Sequence, residues 1–434
     1  MDTSAQVNLF VNVNLGFEQI LTHSDITNLD NSAKIFSFGG EFRGTFLEKF
    51  GFHYKGSFGS ITGDKKAALI NKKLQYNFRF NDLSSTSFDR TEDAYITADF
   101  NLLRLKFGRD RIKIGYGAIK PIFGDNAAIF DYLGMRMKYK AFEYTYLHGR
   151  ILGNTSFISN STSGFEKIVV DKYIGYHHLS INLSDVFIFG IGEVIIYGDR
   201  PLDLSYLNPF IIYKFVQNDN KDRDNSLLFF DFANKSIKGL KIYSTFLIDD
   251  LDFSKLGTSF WGNQFLLNVG IISTNLYRSV PIDFQFEYMV VDPFVYTHKF
   301  ERNSFTNDGR SLASFVPPNS ELFFSKINYR FTNRLSASLR FMYMVHGANP
   351  LNSDGTVKVN VGGNVLLGHR TFDPITVPLL SGDREFTREL SISVIYEPIK
   401  NYFAEFNINL RNERLQNFVH NKTIESFLTI NFKL

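Results

Sequence analysis

The carboxyl-terminal segment TIESFLTINFKL alternates in polarity from residue to residue, and this pattern constrains the fold more than any other feature of the chain. Its apolar side chains share one parity: Ile424, Leu428, Ile430, Phe432 and Leu434. Glutamate, threonine, asparagine and lysine side chains occupy the other parity. Because successive side chains of a β-strand point to opposite faces, the segment predicts a strand with one apolar and one polar face.

A terminal strand of this kind is typical of barrels that the outer-membrane assembly machinery inserts. The strand ends in Phe432-Lys433-Leu434, which resembles the sorting signal of such barrels. The alternative is an edge strand of a soluble sandwich, but a long unpaired edge would invite aggregation. We therefore expect the barrel-assembly machinery and outer-membrane lipid, including lipopolysaccharide, among the partners.

The same alternation recurs along the chain, between turn signals such as Asn-Asp and Gly-Asp. It is clear in residues 284–290, 335–343, 390–396 and 402–410, and the phenylalanines from Phe36 to Phe46 share one parity. Polar residues on the other parity suit a polar lumen. The sequence predicts an all-β fold in a single domain, residues 1–434. We expect a large closed antiparallel transmembrane β-barrel of about 16 to 18 strands, with a lumen plug or long loops.

The composition agrees with a barrel and disagrees with a helical membrane protein. The chain contains 47 Phe and 21 Tyr, yet its mean hydropathy is −0.12. The longest apolar run, Val186 to Gly192, is far shorter than the roughly 18 residues that a spanning helix needs. A barrel wall reconciles these observations, because only alternate residues face lipid.

Cysteine content and charge exclude several other classes. The chain has no cysteine, which excludes a disulfide framework, a thiolate metal site, a cysteine nucleophile and a lipid-modified N-terminal cysteine. Its 47 basic and 44 acidic residues give a formal charge of +3, so the charge offers no argument for binding nucleic acid. The first residues, MDTSAQVNLF, lack the basic and apolar regions of a signal peptide, so we interpret the chain as a mature or recombinant form.

Two long segments do not have the pattern of a barrel wall. Residues 121–133 and 347–378 are interrupted by glycine and proline and do not alternate in polarity. Segments this long without regular structure are usually functional or disordered. We expect them to form extracellular loops or an internal plug.

Residues 108–264 carry more specific sequence than the rest of the chain. The segments that stand out are Gly108-Arg109, Gly115-Tyr116-Gly117, Asp125-Asn126-Ala127, Asp131, the predicted strand that ends in Glu193 and Tyr197-Gly198, and residues 204–209, 222–225 and 246–250. Together they resemble the Wzi-type capsule-assembly family, particularly its Bacteroidetes-like members. That family usually has a Trp-Gly pair where this chain has Tyr116-Gly117, a change that keeps an aromatic face.

The resemblance implies a monomeric barrel of about eighteen strands whose lumen is obstructed. It also implies an outer-membrane lectin, which binds exported capsular polysaccharide and attaches it to the cell. Bacterial surface polysaccharide is therefore the partner that the resemblance adds.

Candidate glycan contacts follow from residue type. Sugars bind to aromatic faces and planar polar side chains, and charged polysaccharides also require arginine or lysine. Residues 199–225 interleave these types, and the only tryptophan lies beside Asn263 and Gln264. The candidate glycan-binding residues are Glu193, Tyr197, Arg200, Tyr206, Asn208, Arg223, Asn225 and Trp261. A polar network that lines the lumen would use the same residue types and is the alternative interpretation.

Metal binding and catalysis have weaker support. Acidic residues cluster at 219–224 and 249–252, but without the glycine and bidentate glutamate of an EF-hand loop, so structural turns explain them better. His177 and His178 are adjacent, so on a strand they point to opposite faces and cannot chelate one metal ion. The chain has no Gly-x-Ser-x-Gly elbow. We expect no metal, no cofactor and no enzymatic activity.

Three function classes follow from these observations. The first is a barrel that binds surface polysaccharide, capsular or exopolysaccharide, and helps to retain or assemble it. The alternatives are a porin-type channel for small solutes and a barrel subunit of a larger outer-membrane protein complex. An open lumen with opposed charges at a constriction would favour the channel. A broad apolar surface outside the lipid band would favour the complex.

Overall fold

Eighteen strands form one antiparallel sheet that closes on itself as a barrel. The structure, a computed structural model, describes residues 7–26, 29–76, 85–160, 164–275 and 280–433. The wall strands are β1 (Val7–Ser24), β2 (Leu29–Phe46), β3 (Phe50–Gly63), β4 (Ser87–Asp99), β5 (Leu103–Asp110), β6 (Phe130–Tyr139), β7 (Phe142–Asn160), β8 (Gly164–Asn182), β9 (Phe187–Gly198), β10 (Asn225–Asn234), β11 (Leu240–Asp250), β12 (Gln264–Ser273), β13 (Ile282–Val291), β16 (Ser320–Arg330), β17 (Leu335–Ala348), β18 (Asp383–Ile399), β19 (Tyr402–Arg414) and β20 (His420–Lys433). A separate hairpin consists of β14 (Thr306–Asn307) and β15 (Arg310–Ser311). The predicted fold class is confirmed.

The barrel closes where its first strand meets its last. β1 pairs with β20 from Asn14–Lys433 to Ser24–Thr423, and on its other side with β2. Each further wall strand pairs with the next wall strand in chain order, and β13 lies beside β16 because the hairpin stands apart from the wall. A closed sheet has no unpaired edge, as hydrocarbon surroundings require.

The predicted alternation separates the two faces of the wall. Ile424 and Leu428 are exposed on the outer face, while Glu425 between them is buried on the inner face. The phenylalanines from Phe36 to Phe46 are exposed in the same way. The prediction also included Leu434, which lies outside the described residues. The apolar parity of the wall therefore faces outward, toward lipid.

The two ends of the barrel differ in the length of their connections. β1 begins and β20 ends at the same end, where short turns such as residues 47–49 and 400–401 join neighbouring strands. The opposite end carries the long segments: residues 64–86, 111–129, 199–224, 251–263, 292–319 and 349–382. Outer-membrane barrels have short periplasmic turns and longer extracellular loops, so the long segments define the extracellular end.

Helical structure is confined to the connections. The helices are α1 (Lys65–Ala68), α2 (Lys72–Gln75), α3 (Leu204–Leu207) and α4 (Tyr213–Asp219), with 3-10 turns at Phe253–Lys255, Glu301–Asn303 and Gln416–Phe418. Among the described residues, no helix is long and apolar enough to cross a membrane. The two predicted loop segments are confirmed with corrected boundaries, because β6 already begins at Phe130 and β17 continues to Ala348.

Candidate functional site

Segment 111–129 turns into the lumen and is anchored to acidic residues of the inner wall. The Tyr116 hydroxyl donates a hydrogen bond of 2.7 Å to Asp231 of β10. The backbone N–H of Ala118 donates one of 2.6 Å to Glu287 of β13. Gly117 approaches Glu287 so closely that an added Cβ would overlap its carboxylate. Two inward-facing acids therefore hold a plug, Asp231 through a side-chain hydroxyl and Glu287 through the backbone.

The plug shares an apolar core with the wall and with segment 292–319. Phe123 packs against Tyr176 of β8 and against Phe305, with ring centroids 5.6 and 6.2 Å apart. The Tyr296 hydroxyl donates to a backbone carbonyl of the plug, that of Pro121. Because these contacts are buried, segments 111–129 and 292–319 form one packed lobe inside the lumen.

A second lobe fills the other side of the lumen. Ala67, Ala68 and Leu74, from α1 and α2, are buried against inner-wall residues of β1, β2 and β3. Arg310 of the β14–β15 hairpin donates a hydrogen bond of 2.7 Å to Gln75, which joins the two lobes. The extracellular half of the lumen thus contains packed segments of the chain itself, which corresponds to the plug among the two predicted alternatives, a lumen plug or long loops.

The lumen is polar on the periplasmic side of the plug. A cavity of about 670 Å³ is lined there by serine, asparagine and charged side chains. Arg340 and Arg411 both donate to Glu389, at 2.5 and 2.9 Å. The polar parity of the wall therefore lines the lumen, in agreement with the sequence pattern.

Residues 199–222, here called the outer flap, fold back over the outer face of the wall. Ile191 of β9 is 37% exposed on that face, whereas Glu193 and Tyr197 continue the same parity and are buried. The flap covers them, and the backbone N–H of Tyr213 donates a hydrogen bond of 2.9 Å to Glu193. The segment that was predicted to contact glycan therefore lies outside the barrel.

Several predicted glycan contacts hold the outer flap in place. Arg200 donates two hydrogen bonds to Asp224, of 2.7 and 2.8 Å. The Tyr206 hydroxyl donates a third to the same carboxylate, at 2.7 Å. The Arg200 guanidinium also lies 4.7 Å from the centre of the Tyr197 ring. These contacts bury three of the eight candidate residues in a structural network.

The other candidates lie in different places. Asn225 is buried and donates to two backbone carbonyls of segment 292–319. Asn208 is exposed on the outer flap, and Arg223 is exposed at the extracellular end. Trp261 is half-buried in segment 251–263. The assignment of the eight residues to glycan contact stays a prediction, and the structure does not gather them into one pocket.

Arg223 and Trp261 belong to one continuous extracellular surface. The Trp261 ring stacks on His369, with ring centroids 4.0 Å apart. The neighbouring Gly368 contacts the backbone of His298 and Lys299. Lys299 in turn donates a hydrogen bond of 2.6 Å to the carbonyl of the residue before Arg223.

Aromatic and cationic side chains alternate along this surface. The Arg302 guanidinium lies 4.7 Å from the centre of the Phe300 ring, and the Lys299 ammonium lies 5.7 Å from it. Four extracellular segments contribute to the arrangement. We call it the loop surface and define it by Arg223, Trp261, Lys299, Phe300, Arg302 and His369.

A lateral cavity of about 1010 Å³ opens beside β5 and β6, which are shorter than the strands around them. Residues of both faces of the wall line it. Its charged lining comprises four arginines and four acids: Arg90, Arg109, Arg111, Arg150, Asp89, Glu92, Asp93 and Asp131. These charges balance, so we do not expect the cavity to concentrate an anionic polymer.

His177 and His178 point to opposite faces of β8, as predicted. His177 contacts Glu193 at 2.9 Å beneath the outer flap, and His178 contacts Asp231 at 2.7 Å inside the lumen. The acidic clusters are engaged in protein contacts, since Asp249 accepts a hydrogen bond from the backbone of Tyr296. The part of the chain that the structure describes holds no group of three or more histidine, aspartate or glutamate side chains placed to bind a metal ion.

Comparison with known proteins decides the family. The model of the capsule assembly protein Wzi family matches residues 30–382. The chain belongs to the Wzi family. Together with the closed barrel, this membership makes the protein an integral outer-membrane protein. No curated protein matches the chain.

Solved structures share the barrel fold. Wzi from Escherichia coli, described as a carbohydrate-binding β-barrel involved in group 1 capsule assembly, is 14% identical, with a TM-score of 0.59. The match covers 96% of this chain and 84% of that one. OpdK of Pseudomonas aeruginosa, solved with vanillate, is 10% identical with a TM-score of 0.53, and OccK8 of the same organism is 9% identical with a TM-score of 0.54. Each of these two matches covers 98% of both chains.

Proposed function

We propose that this Wzi-family barrel binds surface polysaccharide, capsular or exopolysaccharide, and helps to retain or assemble it at the cell surface. The observation that carries the proposal is the family match over residues 30–382. The carbohydrate-binding description of the Escherichia coli protein supports it. The two lobes in the lumen agree with it as well, because a protein that holds a polymer outside the cell does not need an open channel.

The loop surface has the chemistry that a polysaccharide requires. Phe300 and the accessible part of the Trp261–His369 stack offer aromatic surface for the apolar C–H faces of sugar rings. Arg223, Lys299 and Arg302 offer charged donors for the carboxylates of acidic sugars. Lys299 and Arg302 also lie near acids of the chain, at 3.3 Å from Asp222 and 3.6 Å from Asp199, and an acidic sugar would compete with these exposed pairs. We propose this surface as the glycan-binding site, which retains Arg223 and Trp261 from the residues predicted from the sequence.

We assign the other predicted residues a supporting role. Glu193, Tyr197, Arg200 and Tyr206 are engaged beneath the outer flap, and Asn225 fixes the start of β10 to segment 292–319. These residues position the segments that carry the loop surface. Asn208 lies on the flap, on the outer side of the wall. We propose binding without catalysis, because the loop surface presents stacking and ion-pairing groups and no nucleophile with an adjacent base.

A porin-type channel is the second candidate, and the likeness to OpdK and OccK8 in fold favours it. The contacts of the plug argue against this function, because residues 116–118 are fixed to inward-facing side chains of the wall. A role within a larger outer-membrane complex would be compatible with polysaccharide binding and would add partners to it.

Direct binding tests the proposal. The purified barrel in detergent is mixed with polysaccharide from the source organism, and the affinity is measured by calorimetry. We expect Trp261→Ala and Lys299→Ala each to weaken binding about fivefold, the equivalent of roughly 1 kcal/mol. Lys400→Ala removes an exposed cation from a periplasmic turn and should leave the affinity unchanged. Absence of binding by the unmodified protein would overturn the proposal, and equal losses in all three variants would overturn the assignment of the surface.

A further inference from the structure

The outer flap has an apolar middle between charged ends. Residues 204–217 contain a single charged side chain, Lys214. The preceding residues, 199–203, include two aspartates and an arginine, and all seven residues of 218–224 are polar or charged. A surface loop in water usually carries charged side chains along its whole length, because water solvates them everywhere. Here the charged side chains lie almost entirely at the two ends of the segment.

The apolar middle lies along the part of the wall that faces lipid. On the outer face of β5 to β8, Arg109 pairs with Asp131 at 2.6 Å and Arg150 pairs with Asp171 at 2.7 Å. Charged side chains on the lipid face are tolerated only near the membrane border, so this row marks the extracellular border of the apolar band.

The outer flap extends from this border toward the periplasm. Strand register places Arg150 opposite Tyr173, and Tyr173 opposite Tyr197 at the start of the flap. The far end of the flap reaches Tyr144, whose ring stacks on Phe210 with centroids 5.6 Å apart. Tyr144 precedes Arg150 by six residues, which is about 20 Å along a strand. Tyr144 also lies close to the periplasmic end of β7, which begins at Phe142. The flap therefore descends past the charged row and across more than half of the apolar band.

The side chains that the flap exposes are mainly apolar, although Asn208 and Lys214 are exposed as well. Leu204 is 77% exposed, Phe210 is 69% exposed and Phe215 is 63% exposed. The opposite side buries Tyr206 and Tyr213 against the wall. The exposed side chains continue the lipid-facing band formed by wall residues such as those at 187–191.

We infer that the outer flap is embedded in the membrane beside the wall, with Leu204, Phe210 and Phe215 in contact with lipid acyl chains. The flap replaces lipid over a polar part of the outer wall. Glu193 and His177 face outward there, at 2.9 Å from each other, and would be costly in direct contact with hydrocarbon. The Tyr146 hydroxyl donates at 3.0 Å to the Leu207 carbonyl, so the flap also satisfies a polar group of the wall.

Fluorescence quenching tests this inference, since the chain has one tryptophan. In a Trp261→Phe background, single reporters are introduced as Phe210→Trp in the flap, Phe189→Trp on the lipid-facing wall and Phe372→Trp in an extracellular segment. Residues 189, 210 and 372 are all exposed in the structure. Each variant is folded into phosphatidylcholine vesicles with brominated acyl chains and, separately, into unbrominated vesicles, and the tryptophan emission of the two samples is compared. Iodide is then added to the water around the unbrominated vesicles, and the loss of emission is measured.

We expect Phe210→Trp to lose emission to brominated lipid as strongly as Phe189→Trp does, and to resist iodide. Phe372→Trp should respond to iodide alone. Quenching of Phe210→Trp by iodide but not by brominated lipid would overturn the inference and place the flap in water. Protection from both quenchers would also overturn it, because a protein partner or a second copy would then cover the flap.

A second measurement avoids changes to the aromatic side chains. The chain has no cysteine, so Ile212→Cys and Asn218→Cys each create a unique thiol, at the far end of the flap and at its charged end. In vesicles, we expect a membrane-impermeant maleimide to label Asn218→Cys and to leave Ile212→Cys unlabelled, whereas a lipid-soluble maleimide labels both. Equal labelling of both thiols by the impermeant reagent would contradict membrane insertion.

Discussion

Arg200, at the start of the outer flap, donates two hydrogen bonds of 2.7 and 2.8 Å to Asp224, which lies two residues beyond the end of the flap. Asp224 is fully buried, and Arg200 is nearly so. The pair therefore fixes a segment of more than twenty residues to the point where β9 ends and β10 begins. Loss of this pair should therefore destabilise the whole flap and the loop surface beside it.

Removal of Arg200 leaves Asp224 buried with the Tyr206 hydroxyl as a remaining donor and, among the described residues, no cation paired with it. We expect Arg200→Met to lower the free energy of unfolding by about 3–5 kcal/mol, because the Asp224 carboxylate loses its main partner. The measurement is a urea titration of the barrel in vesicles. The exposed pair Arg109–Asp131 provides the control, and Asp131→Asn should cost less than about 1 kcal/mol. An unchanged midpoint for Arg200→Met would show that the pair does not stabilise the flap.

The plug should open when its closest contact with the wall is disturbed. A side chain at position 117 cannot fit beside Glu287, so we expect Gly117→Ala to displace segment 111–129 at a cost of about 1–3 kcal/mol. Single-channel recording in planar bilayers should then detect openings that the unmodified protein lacks. Gly257→Ala is the control, because its added Cβ meets open space and only the backbone is strained. Identical conductance in both variants would contradict the account of the plug.

Burial raises the pKa of Asp292 to about 6, although a hydrogen bond of 3.2 Å from the backbone N–H of Phe265 opposes the shift. The unfolded carboxyl ionises near 3.8, so the free energy of unfolding falls as the pH rises from about 4 to about 6 and is constant above that range. Asp292→Asn keeps an acceptor for the backbone N–H of Phe265 and removes this dependence of the unfolding free energy on pH. We expect it to stabilise the barrel by about 1–3 kcal/mol at pH 7 and not at pH 4, as measured by urea titration. A gain of the same size at both pH values would contradict this assignment.

The wall of the barrel could be predicted from the sequence because its information is local. In β20, Ile424 and Leu428 face outward and Glu425 faces inward, because successive side chains of a strand point to opposite faces. This alternation is visible in the segment itself and does not depend on distant residues. The strand number followed from turn spacing and from the family resemblance. The plug could be predicted only as a possibility, because the alternation does not show which long segment enters the lumen.

The site was harder to predict, because the alternation shows which face of the wall a side chain occupies but not which loop segment covers that face. The sequence predicts glycan contacts at Glu193 and Tyr197, and this stays a prediction. It does not show that both lie on the outward parity of β9 beneath a segment that folds back over the wall. The acids that hold the plug were missed, although a signal existed. Asp231 stands between Phe230 and Phe232, so the alternation places its carboxylate on the inner face in the middle of the strand. A buried carboxylate needs a hydrogen-bond donor, and Tyr116 of the plug provides one.

The most direct test of the account is the distribution of polysaccharide between cells and medium after deletion of the gene in the source organism. We predict a normal total amount, with a larger share released into the medium, and restoration of the cell-bound share by the unmodified protein but not by the Trp261→Ala, Lys299→Ala double variant. A distribution that does not change on deletion would contradict retention of polysaccharide as the function of this barrel.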